Sequence, residues 1–122
     1  MTTAIHSFAD LDAWKEAHKL VLMVYKLTKI FPKEELYRLT SQICRAVVSI
    51  SSNIAEGFSR NSAKEKSQFY ATSLGSLTET QDQLFIAKDL GYLSNENFDE
   101  VFIQSVIVNK LIHGIMKTAC DR

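Results

Sequence analysis

One segment, residues 36 to 58, constrains the fold of this chain more than any other. Its large apolar side chains recur at steps of three and four residues and therefore share one face of an α-helix: Leu36, Leu39, Ile43, Val47, Ile50 and Ile54. A second set, which we call the polar ladder, recurs in the same way about 100° further round the helix: Gln42, Arg45, Ser49, Asn53 and Glu56. Because this set is not the usual mixture of lysine and glutamate, we expect it to be partly buried and hydrogen-bonded.

Three further helices are predicted, and the four together occupy most of the 122 residues. With one proline and four glycines, the chain has too few turn residues for an all-β fold. Phe31-Pro32 ends the first helix, Ser62 and Glu65 have capping-box spacing, and Gly91 suits a helix end. The predicted helices span residues 10–30, 34–58, 62–90 and 95–118.

The pattern predicts an all-α, antiparallel up-down-up-down four-helix bundle in a single domain, residues 1–122, because long helices joined by short connections pack this way. On the first helix we expect the core stripe to include Leu11, Trp14, Val21, Leu22 and Tyr25, with Ala17 and His18. On the third helix the small residues Ser73, Gly75 and Ser76 favour the close approach of another helix.

The residues needed for common catalytic chemistries are missing. A di-iron bundle needs Glu-x-x-His pairs, and none of the three histidines lies three residues after a glutamate. There is no glycine-rich phosphate loop and no glycine-flanked nucleophilic serine. His113 is better explained by packing than by catalysis, and Glu56 with Glu79 by ion pairing or capping than by a carboxylate pair. We therefore expect no enzymatic activity, no cofactor, no metal and no small-molecule substrate.

The net charge of zero argues against a protein that coats nucleic acid by itself. Residues 1–66 nevertheless carry ten basic and seven acidic side chains, a net charge of +3. Lys15, Lys19, Lys26 and Lys29 lie close to one side of the first helix, where they could meet phosphates or form an ordinary solvated face. Arg60 and Lys64 are the other candidate contacts to nucleic acid.

The predicted location is the cytoplasm. Cys44 and Cys120 have no metal-binding spacing or partner motif, as expected of reduced thiols. The first residues lack the pattern of a signal peptide, and no apolar run approaches the roughly 20 residues of a membrane span.

Several motifs are similar to those of a known bacterial family. They are Phe8-x-x-Leu11-x-x-Trp14-x-x-Ala17, Phe31-Pro32-x-Glu34, Leu39-Thr40-x-Gln42-Ile43-x-Arg45-Ala46, Ser49-Ile50-x-x-Asn53-Ile54-Ala55-Glu56-Gly57 and Gly75-Ser76-Leu77-x-Glu79. The chain resembles the four-helix-bundle family named for the intervening sequences of large-subunit ribosomal RNA genes. A relative of that family is the accessory protein of diversity-generating retroelements, which binds nucleic acid and a reverse transcriptase through a basic surface.

The resemblance implies a homopentameric, non-enzymatic bundle associated with RNA or with a nucleic-acid-associated protein. Two departures argue against carrying nucleic-acid binding over: this chain is neutral, and Leu74 stands where relatives often have a basic residue. The polar ladder is kept, with Arg45 expected to pair with Glu79 or Glu56. The alternative function is a protein-interaction scaffold that binds no nucleic acid.

Self-association also has support in the sequence. The last helix carries apolar residues around much of its circumference, among them Val101, Phe102, Ile103, Val106 and Ile107. A helix that is apolar on several sides is usually buried on more than one of them. A solitary bundle would expose this surface, and exposed apolar patches mark interfaces.

Overall fold

The computed structural model describes residues 5–120, apart from the side chain of Cys120. A short 3₁₀ turn, Phe8–Asp10, leads into helix α1, Asp12–Thr28. A second 3₁₀ turn, Lys33–Glu35, lies between α1 and helix α2, Leu39–Ser59. Helices α3, Ala63–Asp89, and α4, Asn95–Cys120, complete the chain. The all-α prediction is confirmed, and residues 5–120 contain no strand.

The helices pack in a closed ring, in which α1 contacts α2 and α4, and α3 contacts α2 and α4. Cross-helix hydrogen bonds give the direction of α2 against α3: Ser76 bonds Ser49 at 2.8 Å, and Gln83 bonds Gln42 at 3.4 Å. Residue numbers rise along one helix as they fall along the other. This packing agrees with the expected up-down arrangement.

Both ends of α3 are explained by residues that lie next to them in the sequence. The Ser62 hydroxyl accepts the backbone N–H of Glu65 at 3.1 Å, which satisfies one of the unpaired donors of the first turn. Gly91, which follows the helix, has a φ of +82°, a conformation that a side chain would disfavour. Both predicted signals therefore act where they were expected.

The core face of α1 differs from the predicted stripe. Its four buried residues are Ala13, Ala17, Leu20 and Val24. Leu22, Tyr25 and His18, which were placed in the predicted stripe, are exposed instead. The four buried residues recur at steps of four, three and four, which is the spacing of one helix face, whereas Leu22, Tyr25 and His18 lie on other sides of the helix.

Helix α2 begins later than predicted. The segment from Lys33 forms a 3₁₀ turn, and the α-helix starts at Leu39. Leu36 lies before the helix and is 52% exposed, so its predicted place in the core stripe is wrong. The other five residues of that stripe are buried: Leu39, Ile43, Val47, Ile50 and Ile54.

Polar residues occupy part of the core between α2 and α3. Ser73 is fully buried, and its hydroxyl donates to the Ile50 carbonyl at 2.7 Å. Thr80 is also fully buried and donates to the Ser76 carbonyl within α3. Because each hydroxyl has an acceptor, its burial avoids the cost of an unsatisfied donor.

Two glycines in helices have different surroundings. A Cβ on Gly57 would lie 2.5 Å from the ring of Tyr70, which itself is buried. Gly57 therefore allows α3 to approach α2. A Cβ on Gly75 would meet no atom within 4 Å, so the close approach expected at that position is not made inside the subunit.

Candidate functional site

The polar ladder of α2 lies beside α3, but it is less buried than predicted. Ser49 and Asn53 are half-buried, whereas Gln42, Arg45 and Glu56 are exposed. The Asn53 amide donates to the carbonyl and the hydroxyl of Ser49 at 2.8 and 3.0 Å, and Ser76 of α3 donates to the same hydroxyl. The centre of the ladder therefore holds α2 against α3.

Arg45 does not have the expected carboxylate partner among the described residues. Glu56 pairs with Arg60 at 2.9 Å, and Glu79 accepts a hydrogen bond from Gln83 at 3.1 Å. Because Arg45 is exposed, water can solvate its guanidinium, and the fold does not require a buried ion pair. The prediction of such a pair with Glu79 or Glu56 is wrong for the subunit.

Gln83 is a residue that the sequence reasoning missed. It is 5% exposed, and its amide nitrogen donates to Glu79 and to Gln42. Its Oε1 atom is buried without a hydrogen-bond partner among the described residues. Gln83 follows Ser76 and Glu79 at helical spacing, which is the signal that could have added it to this polar seam.

The side of α1 that points away from the core carries the four predicted lysines. Lys15, Lys19, Lys26 and Lys29 are all exposed, and none forms an ion pair within residues 5–120. They face away from the buried stripe of Ala13, Ala17, Leu20 and Val24. We call this surface the α1 outer face.

Aromatic side chains lie between those lysines, and the sequence reasoning assigned them to the core instead. Tyr25 is 46% exposed, and the exposed His18 stacks on Trp14 with ring centroids 4.7 Å apart. Because the buried face of α1 is the stripe of Ala13, Ala17, Leu20 and Val24, these rings lie with the lysines on the outer face. The sequence signal that could have placed Tyr25 and His18 on the outer face is their helical spacing relative to the lysines.

The other two cationic candidates lie elsewhere. Arg60 pairs with Glu56 and stacks over the Phe69 ring, 4.7 Å from its centroid. Lys64 lies at the start of α3, beside Met116 of α4. Neither residue belongs to α1, so the α1 outer face does not include them.

The two connections at one end of the bundle form an apolar surface, which we call the end patch. Its exposed side chains come from the α1–α2 connection and the end of α3: Ile30, Leu36, Tyr37 and Leu90. Beneath it, Tyr92 donates to Glu35 at 2.9 Å, and its ring lies 5.7 Å from that of Phe31. The hydrogen bond to the Glu35 carboxylate raises the pKa of Tyr92.

No group of three or more histidine, cysteine, aspartate or glutamate side chains within residues 5–120 could hold a metal ion. None of the helices in that part of the chain is long and apolar enough to cross a membrane.

Comparison with known proteins supports the four-helix fold. The model of the 23S rRNA-intervening sequence protein family matches residues 9–114. A crystal structure of a protein of unknown function from the S23 ribosomal protein family of Bacteroides thetaiotaomicron has a TM-score of 0.79. It is 23% identical to this chain, and the match covers 86% of this chain and 95% of that one.

No curated protein matches this chain significantly. The solved structure shows the fold, and the family model covers α1, α2 and α3 and most of α4, including the polar ladder and the α1 outer face. The chain therefore belongs to the family of 23S rRNA-intervening sequence proteins.

Proposed function

We propose that this protein is a non-enzymatic, homo-oligomeric bundle that binds RNA through its α1 outer face. The observation that carries the proposal is the row of four exposed lysines without ion-pair partners among the described residues. Cations that form no ion pair can neutralise phosphates without first breaking one, and phosphate neutralisation dominates affinity for nucleic acid.

The geometry of the α1 outer face suits a single strand. From Lys15 to Lys29 the helix rises about 21 Å, which is long enough to follow several phosphates. Tyr25 and His18 offer exposed rings on which unpaired bases can stack. The family's association with ribosomal RNA intervening sequences supports RNA as the nucleic acid.

Self-association is the second part of the proposal. A pentameric ring is the assembly that the family resemblance implies, and a ring would repeat the lysine row in each subunit. Several linked weak sites bind one RNA much more tightly than a single site does. Such linkage of weak sites supports RNA binding by a chain whose net charge is zero.

RNA binding can be measured by the fluorescence anisotropy of a labelled single-stranded RNA at about 50 and about 200 mM salt. Wild type should bind at the lower salt and lose affinity steeply at the higher. Lys19→Ala/Lys26→Ala should bind about tenfold more weakly. Its slope of log affinity against log salt should be shallower by about 1.4, because two phosphate contacts are lost.

Lys33→Ala/Lys117→Ala is the matched control, because it removes the same charge from two exposed positions outside the α1 outer face. Its affinity and salt slope should stay close to those of wild type. No binding by wild type at the lower salt would refute the proposal, and an equal loss in both double variants would show that the lysine row is not the site.

A protein-interaction scaffold is the second candidate function, and the end patch favours it. Tyr37 is 90% exposed and lies among other exposed apolar residues, a surface typical of protein contacts. In a nuclease-treated pull-down, one protein retained by wild type but lost with Tyr37→Ser would support the scaffold. Recovery of RNA alone, before nuclease treatment, would favour the first proposal.

A further inference from the structure

The solvent-facing side of α4 has an apolar centre that no part of the described chain covers. Ile103 is 61% exposed, and Val106 and Ile107 are 37% and 39% exposed. The opposite side of the same helix already supplies the core with the buried Val101, Val108 and Ile112. The helix therefore presents a second apolar surface to solvent.

The exposed residues of this side recur at alternating steps of three and four. They are Glu96, Asp99, Ile103, Val106, Lys110 and His113, and all six are exposed. Such alternation is the spacing of a coiled-coil seam, along which a second helix can pack. We call these six residues the α4 seam.

The charges of the α4 seam are ordered along the helix. Its acidic residues precede the apolar centre, and its basic residues follow it. A parallel second copy would place each charge beside its own counterpart, which is repulsive. An antiparallel copy would instead place Asp99 beside the partner's Lys110, and Glu96 beside the partner's His113.

The apolar centre fits the same register. When Asp99 faces the partner's Lys110, Ile103 faces the partner's Val106. A single alignment of the two helices therefore pairs opposite charges and also pairs the apolar residues. Antiparallel helix pairing is specified when the apolar contacts and the charge pairs favour the same register. Gly114 has open space around it and adds no side chain that could obstruct the approach.

We propose that α4 pairs with α4 of a second copy of this chain, in antiparallel orientation about a two-fold axis. The inference rests on the proposed self-association and assigns one contact within it. A two-fold contact uses the same surface on both copies and cannot close a five-membered ring. It therefore joins two subunits or two rings and doubles the number of copies.

The contact is tested by exchanging charges and measuring mass by light scattering. Wild type at about 100 µM should contain an even number of copies. In the Asp99→Lys variant, the new lysine of each copy faces Lys110 of the other copy, so each pair of helices contains two repulsive contacts. The α4 contact should therefore weaken about tenfold, and the mass should fall toward half. The double variant Asp99→Lys/Lys110→Asp restores opposite charges in the antiparallel register, and the wild-type mass should return.

Cross-linking tests the orientation. In a Cys44→Ala/Cys120→Ser background, Asp99→Cys and Lys110→Cys chains should form a disulfide only when they are mixed. In the proposed register, two copies of residue 99 are about 16 Å apart along the axis. Disulfide formation by the Asp99→Cys chain alone would overturn the antiparallel register.

The outcomes separate this contact from the rest of the proposed function. If wild type is oligomeric but Asp99→Lys leaves its mass unchanged, the α4 contact is refuted while self-association stands. If the double variant stays dissociated, the antiparallel pairing is refuted. A monomeric wild type overturns both the contact and self-association, and RNA binding is decided by its own salt-dependent assay.

Discussion

At the scale of single residues, Gly57 determines how closely α2 and α3 approach. It is buried within α2, and the Tyr70 ring occupies the space that a Cβ would need. Alanine there would gain up to about 1 kcal/mol of helix propensity. It would also force apart a packed contact, which typically costs about 1–3 kcal/mol.

We therefore expect Gly57→Ala to destabilise the protein by up to about 2 kcal/mol, measured by urea unfolding. Gly75→Ala is the matched control, because its Cβ would meet no atom within 4 Å. It should stabilise the subunit by up to about 1 kcal/mol through propensity alone. A stabilised Gly57→Ala variant would show that α3 can move away from α2 without cost.

At the level of secondary-structure elements, one hydrogen bond joins the α1–α2 connection to the α3–α4 connection, beneath the end patch. Tyr92 follows α3, and its hydroxyl donates to Glu35 in the 3₁₀ turn before α2. The second carboxylate oxygen of Glu35 accepts the Leu39 N–H at 3.4 Å, at the first turn of α2. The pair therefore helps to fix where α2 begins.

This bond also gives a pH dependence. Because the carboxylate raises the pKa of Tyr92, the phenol keeps its proton more firmly in the folded protein than in the unfolded chain. The resulting stabilisation is complete below the unfolded pKa of about 10, and it is lost as the pH rises through the folded pKa.

Tyr92→Phe should therefore lower the free energy of unfolding at about pH 8, and its difference from wild type should shrink above about pH 10. Urea unfolding of both proteins at several pH values measures that difference. Tyr70 is the control, because burial rather than a hydrogen bond raises its pKa and both proteins retain it. A difference that stays constant with pH would contradict the role given to the Tyr92–Glu35 bond.

At the scale of the whole molecule, self-association should appear as a stability that depends on protein concentration. Subunits that bury apolar surface in one another stabilise the folded state by mass action. The midpoint of thermal unfolding should rise when the protein concentration increases from about 1 to about 100 µM. The increase should be smaller for Asp99→Lys, and an unchanged midpoint for wild type would argue against any stable assembly.

Local chemistry allowed much of the architecture to be predicted from the sequence. The apolar residues of α2 from Leu39 to Ile54 are buried as expected, because a strong 3.6-residue repeat admits one core face. The start of α3 was predictable from Ser62, and the residue that follows its end from Gly91. These signals depend on neighbours in sequence, so no tertiary information was needed.

Tertiary packing determined which face of α1 is buried, and it therefore also determined which surfaces are available for binding. The sequence analysis predicted another stripe, but packing buries Ala13, Ala17, Leu20 and Val24, because the volumes of these side chains fit against the neighbouring helices. That packing exposes Tyr25 beside the lysines. The number of helices and most of their extents follow from local periodicity and could therefore be predicted from the sequence, although the start of α2 could not. Which side of each helix meets water depends on how side-chain volumes fit across the bundle, and only the packed molecule determines that.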